Sequence, residues 1–354
     1  MEKVVFAHSG GLDNLVCIHW LQENEFEVIT FLAQLGQISY LAPMGETAVK
    51  LGANVANIAD LRRKFINDFI MPAFHAQAIY ENGYFLSAAL SRPLIAEELV
   101  RIAEENNCCC IAHGARGIGN DHIRFENCIK SLNPALRIIA PIKELALHNA
   151  KDDIKYIKEH KLPVDLDKQA LYNIESNIWG TNIQLGGNLP RTLDAPPRDT
   201  YIITTPVNET VDKPALIEIK FNQGIPVSID KKKMDLLNII ETLNEIGGHN
   251  GIGRTDMIEN KISGDKIREI YEAPAATILY TAYQTLSDMI LPKEQIQFQP
   301  ALSAKYAELV YNGLWLSPLK KALDGFFNEI YPRISGSVKI KLYRGTLEII
   351  QRKI

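Results

Sequence analysis

No apolar run in this 354-residue chain is long enough to cross a bilayer as a helix. Charge of one sign is also missing: 38 Lys and Arg stand against 42 Asp and Glu, a formal net charge of -4. Without a basic excess there is no broad field for a nucleic-acid backbone. Lys231-Lys232-Lys233, the one dense basic run, reads as a solvated loop. Cysteines number five: Cys17, Cys108, Cys109, Cys110 and Cys128. They lack paired zinc spacing, and their odd number argues against a disulfide framework. The Cys108-Cys109-Cys110 run followed by Ile111-Ala112 reads as a buried strand in a reducing compartment. Met1-Glu2-Lys3 leads straight into an apolar run with no signal-peptide profile, so a cytoplasmic location is expected.

The most telling stretch is Val4–Val16. An apolar run breaks into Ser9-Gly10-Gly11-Leu12-Asp13 and resumes as a helix-like pattern through Trp20 and Leu21. Successive backbone N–H groups at such a strand–turn–helix junction form an anion nest, and the helix N-terminus adds positive potential. No Gly-Lys-Ser/Thr follows, so the lysine of a Walker A loop is absent. The turn suits the pyrophosphate of ATP in an enzyme that forms AMP. A plain strand-to-helix turn is the bland alternative.

The first half alternates strands (Val4–Ala7, Val28–Leu32, Ala53–Ile58, Cys109–Ala112, Ile138–Ala140) with helical patterns. Ile95, Leu99, Ile102 and Ala103 fall on one face of the clearest helix, Leu94–Ala103. This alternation predicts an α/β fold with a mostly parallel sheet, whose ligands bind beyond the carboxyl ends of its strands. After Pro163 the pattern becomes α+β. A loop-rich stretch from Gly186-Gly187 to Pro196-Pro197 precedes a hairpin of Leu216–Phe221 and Ile225–Ile229 around Asn222-Gln223-Gly224. A helix through Leu236, Ile239, Ile240 and Leu243 is expected to end at Gly247. Helices at Thr277–Met289, Ala301–Asn312 and Leu319–Glu329 follow, then strands around Val338, Ile340 and Leu342 and over Leu347–Ile350. Two domains are expected, 1–163 and 164–354.

A second glycine loop, His113-Gly114-Ala115-Arg116-Gly117-Ile118-Gly119-Asn120-Asp121, follows the cysteine strand and opens a helix carrying Arg124. Here the residues resemble a known family. Ser9-Gly10-Gly11-Leu12-Asp13 is similar to the PP-loop of ATP pyrophosphatases. The stretches Ala33–Gln37, Ser91–Ala96, His113–Glu126, Asn244–Arg254, Glu269–Pro274 and Tyr306–Trp315 narrow the resemblance to the argininosuccinate synthase family. It runs in order over essentially the whole chain. It implies a PP-loop, adenine-nucleotide α-hydrolase-like domain followed by an α+β synthetase domain.

The family reaction is an AMP-forming C–N ligation. A ureido oxygen of citrulline attacks the α-phosphate of ATP, and the amine of aspartate then displaces AMP. The resemblance implies that Ala7, His8, Ser9, Gly10, Gly11, Leu12, Asp13, Asn14, Ala33, Gly114, Gly117 and Gly119 contact ATP, with Asp13 also near a magnesium ion. It places Arg116, Asn120 and Asp121 at aspartate, Asp121 steering the amine. Tyr84, Ala89, Asn120, Arg124, Asn173, Asn182, Glu259 and Tyr271 fall where the family holds citrulline, and Asp13, Asp121 and Arg124 are the candidate catalytic groups. The bland reading makes Arg124 and Glu259 an ion-paired scaffold and Tyr271 a core aromatic. The family's C-terminal helical arm is not found before Ile354, so a homodimer or a loose tetramer is expected, with no nucleic-acid or membrane partner.

Several positions depart from the family pattern. Asn14-Leu15 replaces Thr-Ser after the phosphate turn, and Ala89, Asn173 and Asn182 stand where serines are usual. Arg116 replaces a threonine and Ile118 a lysine. Trp179-Gly180-Thr181-Asn182-Ile183-Gln184 replaces Trp-Gly-Arg-Ser-Ile-Glu. The departures cluster around the substrates and leave four readings open. These are citrulline–aspartate ligation, ligation of an acidic amine to another ureido or amide acceptor, a non-catalytic nucleotide-binding regulator, and, most distantly, a sulfur-transferring tRNA-modifying enzyme.

Overall fold

Val4, Val5 and Phe6 are fully buried, which marks a strand covered on both faces. In the computed structural model they form β1 (Glu2–Ala7), and the residues described are 1–37, 41–117, 119–164, 173–184 and 195–354. The chain continues through α1 (Leu12–Glu23), β2 (Phe26–Gln34), α2 (Leu41–Lys50), β3 (Val55–Asp60), the short α3 (Arg62–Phe65) and α4 (Met71–His75), and the long α5 (Ser87–Glu105). After these come β4 (Cys110–His113), α6 (Asp121–Leu132), β5 (Arg137–Ile139), α7 (Pro141–Glu144) and α8 (Ala150–Glu159). The five strands lie in the order β3-β2-β1-β4-β5, all parallel.

This order places the topological switch between β1 and β4, whose ends meet where Ala7 pairs with His113. The two glycine loops therefore leave the sheet side by side at its carboxyl edge, where ligands of such sheets bind. Val4 and Phe6 face a core shared with Leu15, Ile18 and Leu21 of α1 and Ile157 of α8. Val5 faces the opposite core with Leu90, Leu94 and Leu99 of α5. Full burial of each such side chain contributes about 1.5–3 kcal/mol, so the phosphate turn is carried on a rigid support.

The second half holds β6 (Asn173–Asn177), β7 (Gly180–Gln184), β8 (Ala215–Asn222), β9 (Ile225–Ile229), β10 (Lys232–Lys233), α9 (Leu236–His249), β11 (Arg254–Asn260) and β12 (Lys266–Glu272). It ends in α10 (Pro274–Ile290), α11 (Lys293–Tyr311), α12 (Pro318–Asn328), β13 (Gly336–Tyr343) and β14 (Thr346–Lys353). Two antiparallel sheets result, β11-β12-β7-β6 and β10-β9-β8-β13-β14. In the first, Glu175, Asn182 and Tyr271 stand opposite one another across three strands and so share a face. That face packs on α5.

Three expectations need correction. Gly247 does not end α9, which runs on to His249 before Asn250 caps it. A Cβ on Gly247 would lie 2.8 Å from that of Pro274, and one on Gly248 2.4 Å from the Ile203 carbonyl oxygen. These glycines serve close packing. The strand begins at Cys110 and leaves Cys109 exposed, so the cysteine run is not buried throughout. Lys232 and Lys233 form a short edge strand, still exposed to solvent. Over 186–194 the predicted loop lies outside the described residues.

Candidate active site

Gly10 adopts φ +84°, a left-handed conformation that favours glycine, and turns the chain from β1 towards α1. Gly11 caps α1 and brings no side chain of its own to the first N–H groups of the helix. Asn14 fills the inside of the turn. Its Oδ1 accepts from the Ser9 amide at 2.7 Å and from Ser9 Oγ at 3.1 Å, and its Nδ2 donates to Asp13 Oδ1 at 3.0 Å. The Asn14 amide donates to the same Asp13 oxygen at 2.8 Å. Burial raises the Asp13 carboxyl above its ordinary value, opposed by the charge of Arg116. Burial also pushes His8 down to about 4, so its ring is neutral. Leu12 is buried in the core, and Ala33 sits near the carboxyl end of β2.

The second loop lies directly on the first. A Cβ on Gly114 would come 2.5 Å from Asn14 Nδ2, so only glycine fits that contact. Arg116 turns from this loop towards α8, where it pairs with Asp153, and its Nη1 donates to the Leu147 carbonyl at 3.2 Å. Gly117 stands against the stem of Lys143, a hypothetical Cβ lying 3.5 Å from its Cγ. Gly119 closes the loop on the Arg116 carbonyl at 3.1 Å. Ile118 lies outside the described residues.

Asp121 opens α6 between two guanidinium groups. Arg92 of α5 donates to Asp121 Oδ2 at 2.6 Å, and Arg124 to Asp121 Oδ1 at 2.9 Å. The same Arg92 Nη2 reaches Glu175 at 2.6 Å. Burial alone would raise the Asp121 carboxyl, but the two arginines hold it far below its usual range. Arg124 is fixed by its Nε donating to the Tyr311 carbonyl at 2.8 Å and stacks over the Tyr311 ring. Its Nη2 is buried with no partner.

Glu259 accepts from the Tyr271 hydroxyl at 2.5 Å and from the Tyr311 hydroxyl at 2.6 Å. Asn120 donates to the Tyr311 hydroxyl at 2.8 Å and accepts from the Ile262 amide at 3.0 Å. Tyr84 stacks on Tyr271, and its hydroxyl accepts from the Ala88 and Ala89 amides at the start of α5 and from Asn182 Nδ2. Ser87 donates to Asn182 Oδ1 at 2.8 Å. Burial pushes Glu175 up to about 7 against the pull of Arg92, and Glu269 up to about 8 with help from Glu259 and Glu175. Burial raises Glu259 as well, although its two tyrosine partners oppose this.

Tyr84, Ala89, Asn120, Arg124, Asn182, Glu259 and Tyr271 are thus joined, with Asp121, in one network. Arg116 stands apart, making no hydrogen bond or ion pair with Asn120 or Asp121 among the described residues. Nothing is described of the Asn173 side chain. Four members had no role from the sequence: Arg92, Glu175, Glu269 and Tyr311. Arg92, Glu269 and Tyr311 lie inside family-like stretches, which was the available signal. Glu175 is found only through its register with Asn182.

Paired glycine turns at the switch point of a parallel sheet, with no lysine in the first turn of α1, define a nucleotide-binding enzyme of the PP-loop class. The comparisons carry this further. A family model described as the arginosuccinate synthase N-terminal HUP domain matches residues 3–163, and the C-terminal domain model matches residues 172–354. The chain belongs to the argininosuccinate synthase family. It is 44% identical over 347 residues to the argininosuccinate synthase of Caldanaerobacter subterraneus subsp. tengcongensis, covering 98% of this chain and 84% of that protein. The Chlorobium limicola argininosuccinate synthase is 44% identical over 352 residues, 99% of this chain and 88% of that protein. That of Desulfitobacterium hafniense strain DCB-2 is 43% identical over 350 residues, 99% and 87% respectively.

Proposed function

We propose that this chain is an ATP-dependent ligase that joins citrulline to aspartate, releasing AMP and pyrophosphate. The observation that carries the reading is the identity to argininosuccinate synthases over 98–99% of the chain. The alternatives of another acceptor, a regulator or a tRNA-modifying enzyme gain no support from the relatives.

In this reading Ser9, Gly10, Gly11, Leu12 and Asp13 hold the pyrophosphate, Asn14 braces the inside of the turn, and Ala7, His8, Ala33, Gly114, Gly117 and Gly119 surround the rest of ATP. A hard cation such as magnesium takes carboxylate oxygens, and Asp13 offers a carboxylate at the turn. It would hold the ion, which would neutralise phosphate charge. Tyr84, Ala89, Asn120, Arg124, Asn173, Asn182, Glu259 and Tyr271 hold citrulline, with the free Nη2 of Arg124 available to an anionic group. Asn120 and Asp121 receive aspartate. A carboxylate as acidic as Asp121 orients the amine and does not serve as its base. Glu175, pushed up to about 7 and bound to the same Arg92, is the neighbour suited to take a proton. Most of the rate comes from placing reactants and stabilising charge.

The reading extends to a cytoplasmic homo-oligomer, a dimer or loose tetramer; among the described residues no helix is long and apolar enough to cross a membrane. Light scattering reads the assembly, and an interlocked tetramer contradicts it. The function is tested by pyrophosphate release with ATP and magnesium, citrulline and aspartate. Release that needs both amino acids supports it. Absence of release with that pair refutes it.

A further inference from the structure

We infer that Arg116 is a pyrophosphate-binding cation at the phosphate turn, held there by Asp153, and not a ligand of the aspartate nucleophile. The inference rests on the ATP-cleaving reading and names a residue that the sequence pattern places elsewhere.

The phosphate turn brings no lysine of its own. Arg116 supplies a cation from the adjoining loop. Gly114, two residues earlier, is pressed against Asn14, and a Cβ there would also lie 3.6 Å from Cys17 Sγ. Cys17 stands one helical turn beyond Asp13 on α1. Both Asp13 and Cys17 lie within electrostatic reach of Arg116, and Asp13 within that of Asp153. The four groups thus feel one another's charge, and Arg116 and Asp153 are in direct contact.

Asp153 explains the orientation. It is 1% exposed on α8, accepts from Arg116 through Oδ2, and leaves Oδ1 buried without a partner. The Leu147 carbonyl takes a second N–H of the guanidinium. Among the described residues two of its five N–H groups are thereby used, which leaves three for an anion in a planar fork. The Arg116 side chain keeps 21% of its surface exposed, so a ligand can reach it. Asp13 also feels the charge of this guanidinium, with no ion pair to it among the described residues.

The proposed nucleophile residues engage a different set of elements. Asn120 is engaged with Tyr311 and Ile262, and Asp121 with Arg92 and Arg124. These partners come from α5, α6 and the second half of the chain, whereas those of Arg116 come from α8 and the segment before it. Asp153 is accordingly a positioning residue.

The test is calorimetric titration of the intact, substrate-free protein with inorganic pyrophosphate and magnesium, alongside KM values for ATP and aspartate. Arg116→Gln is expected to weaken pyrophosphate binding and raise the ATP KM at least tenfold, leaving the aspartate KM within twofold. Arg116→Lys is expected to recover part of the affinity. Asp153→Asn is expected to weaken pyrophosphate less, and to add nothing to Arg116→Gln in the double variant. If Asp153→Asn fails to fold, Asp153→Glu replaces it, and the Arg116 variants decide alone. Unchanged pyrophosphate affinity in Arg116→Gln overturns the inference, as does a rise confined to the aspartate KM. Because the titration needs no turnover, a wild type that binds pyrophosphate but ligates nothing refutes the proposed function alone. A wild type that binds none refutes both.

Discussion

The side-chain carbonyl of Asn14 stands 2.7 Å from the amide nitrogen of Ser9, inside the turn that phosphate is to enter. One donor of the anion nest is therefore occupied by the protein itself. Phosphate must compete with this bond. Asn14→Ser, too short to span the turn, is expected to lower the KM for ATP about fivefold, the equivalent of ~1 kcal/mol for one hydrogen bond. Steady-state kinetics at saturating citrulline and aspartate check this, and an unchanged or higher KM contradicts it.

Asp13 is the one acidic group in that turn. Asp13→Ala is expected to abolish pyrophosphate release while leaving the cooperative thermal transition in place. Circular dichroism and a pyrophosphate assay on the same sample decide the matter. Activity within tenfold of wild type removes Asp13 from the reaction.

Asp121 joins two buried arginines, and its removal leaves Arg124 without an acidic partner among the described residues and Arg92 with Glu175 alone. Asp121→Asn is expected to cost about 3–5 kcal/mol of stability, the usual loss when one partner of a buried ion pair goes, and at least 100-fold in kcat. The sign of the pH effect follows from a carboxyl held below its usual value. Its stabilisation is present above the unfolded pKa, about 4, and is lost as pH falls through the lower folded value. Denaturant midpoints from pH 7 downward should converge for wild type and variant in strong acid. Parallel curves would contradict this.

Glu269 behaves in the opposite sense. Its folded pKa is raised to about 8, so the free protein favours the protonated form. The associated stability is full below the unfolded value, about 4.3, and disappears as pH rises through 8. Glu269→Gln, which stays neutral, should melt near wild type at pH 5 and higher than wild type at pH 9. Equal melting temperatures at both pH values would show that Glu269 ionises without cost.

Glu259 accepts from two tyrosines that close one side of the proposed citrulline site. Glu259→Gln is expected to raise the citrulline KM ten- to 100-fold, with the ATP KM within twofold. A change in the ATP KM of the same size would turn the residue into general scaffold.

Local signals were readable in the sequence, and long-range ones were not. Ser9–Asp13 announces its turn because strand, glycines and helix start are contiguous. The parallel sheet follows from alternation, and the terminal strands from the period of two in Val338, Ile340 and Leu342. Gly247 misled because a glycine needed for approach to Pro274 looks the same as one that ends a helix. The Arg92–Asp121–Glu175 chain comes from three elements up to 83 residues apart in sequence, and no spacing rule joins them. The loop position of Arg116 is legible in the sequence, but its pairing with Asp153 on α8, 37 residues away, is not.

Tyr84 offers its ring to Tyr271 and its hydroxyl to the first amides of α5. One side chain therefore serves both the helix that carries Arg92 and a face of the proposed acceptor site. A substitution at this position disturbs the start of α5 together with the ring stack. Asn182 has the same double attachment, donating to the Tyr84 hydroxyl and accepting from Ser87, the first residue of α5.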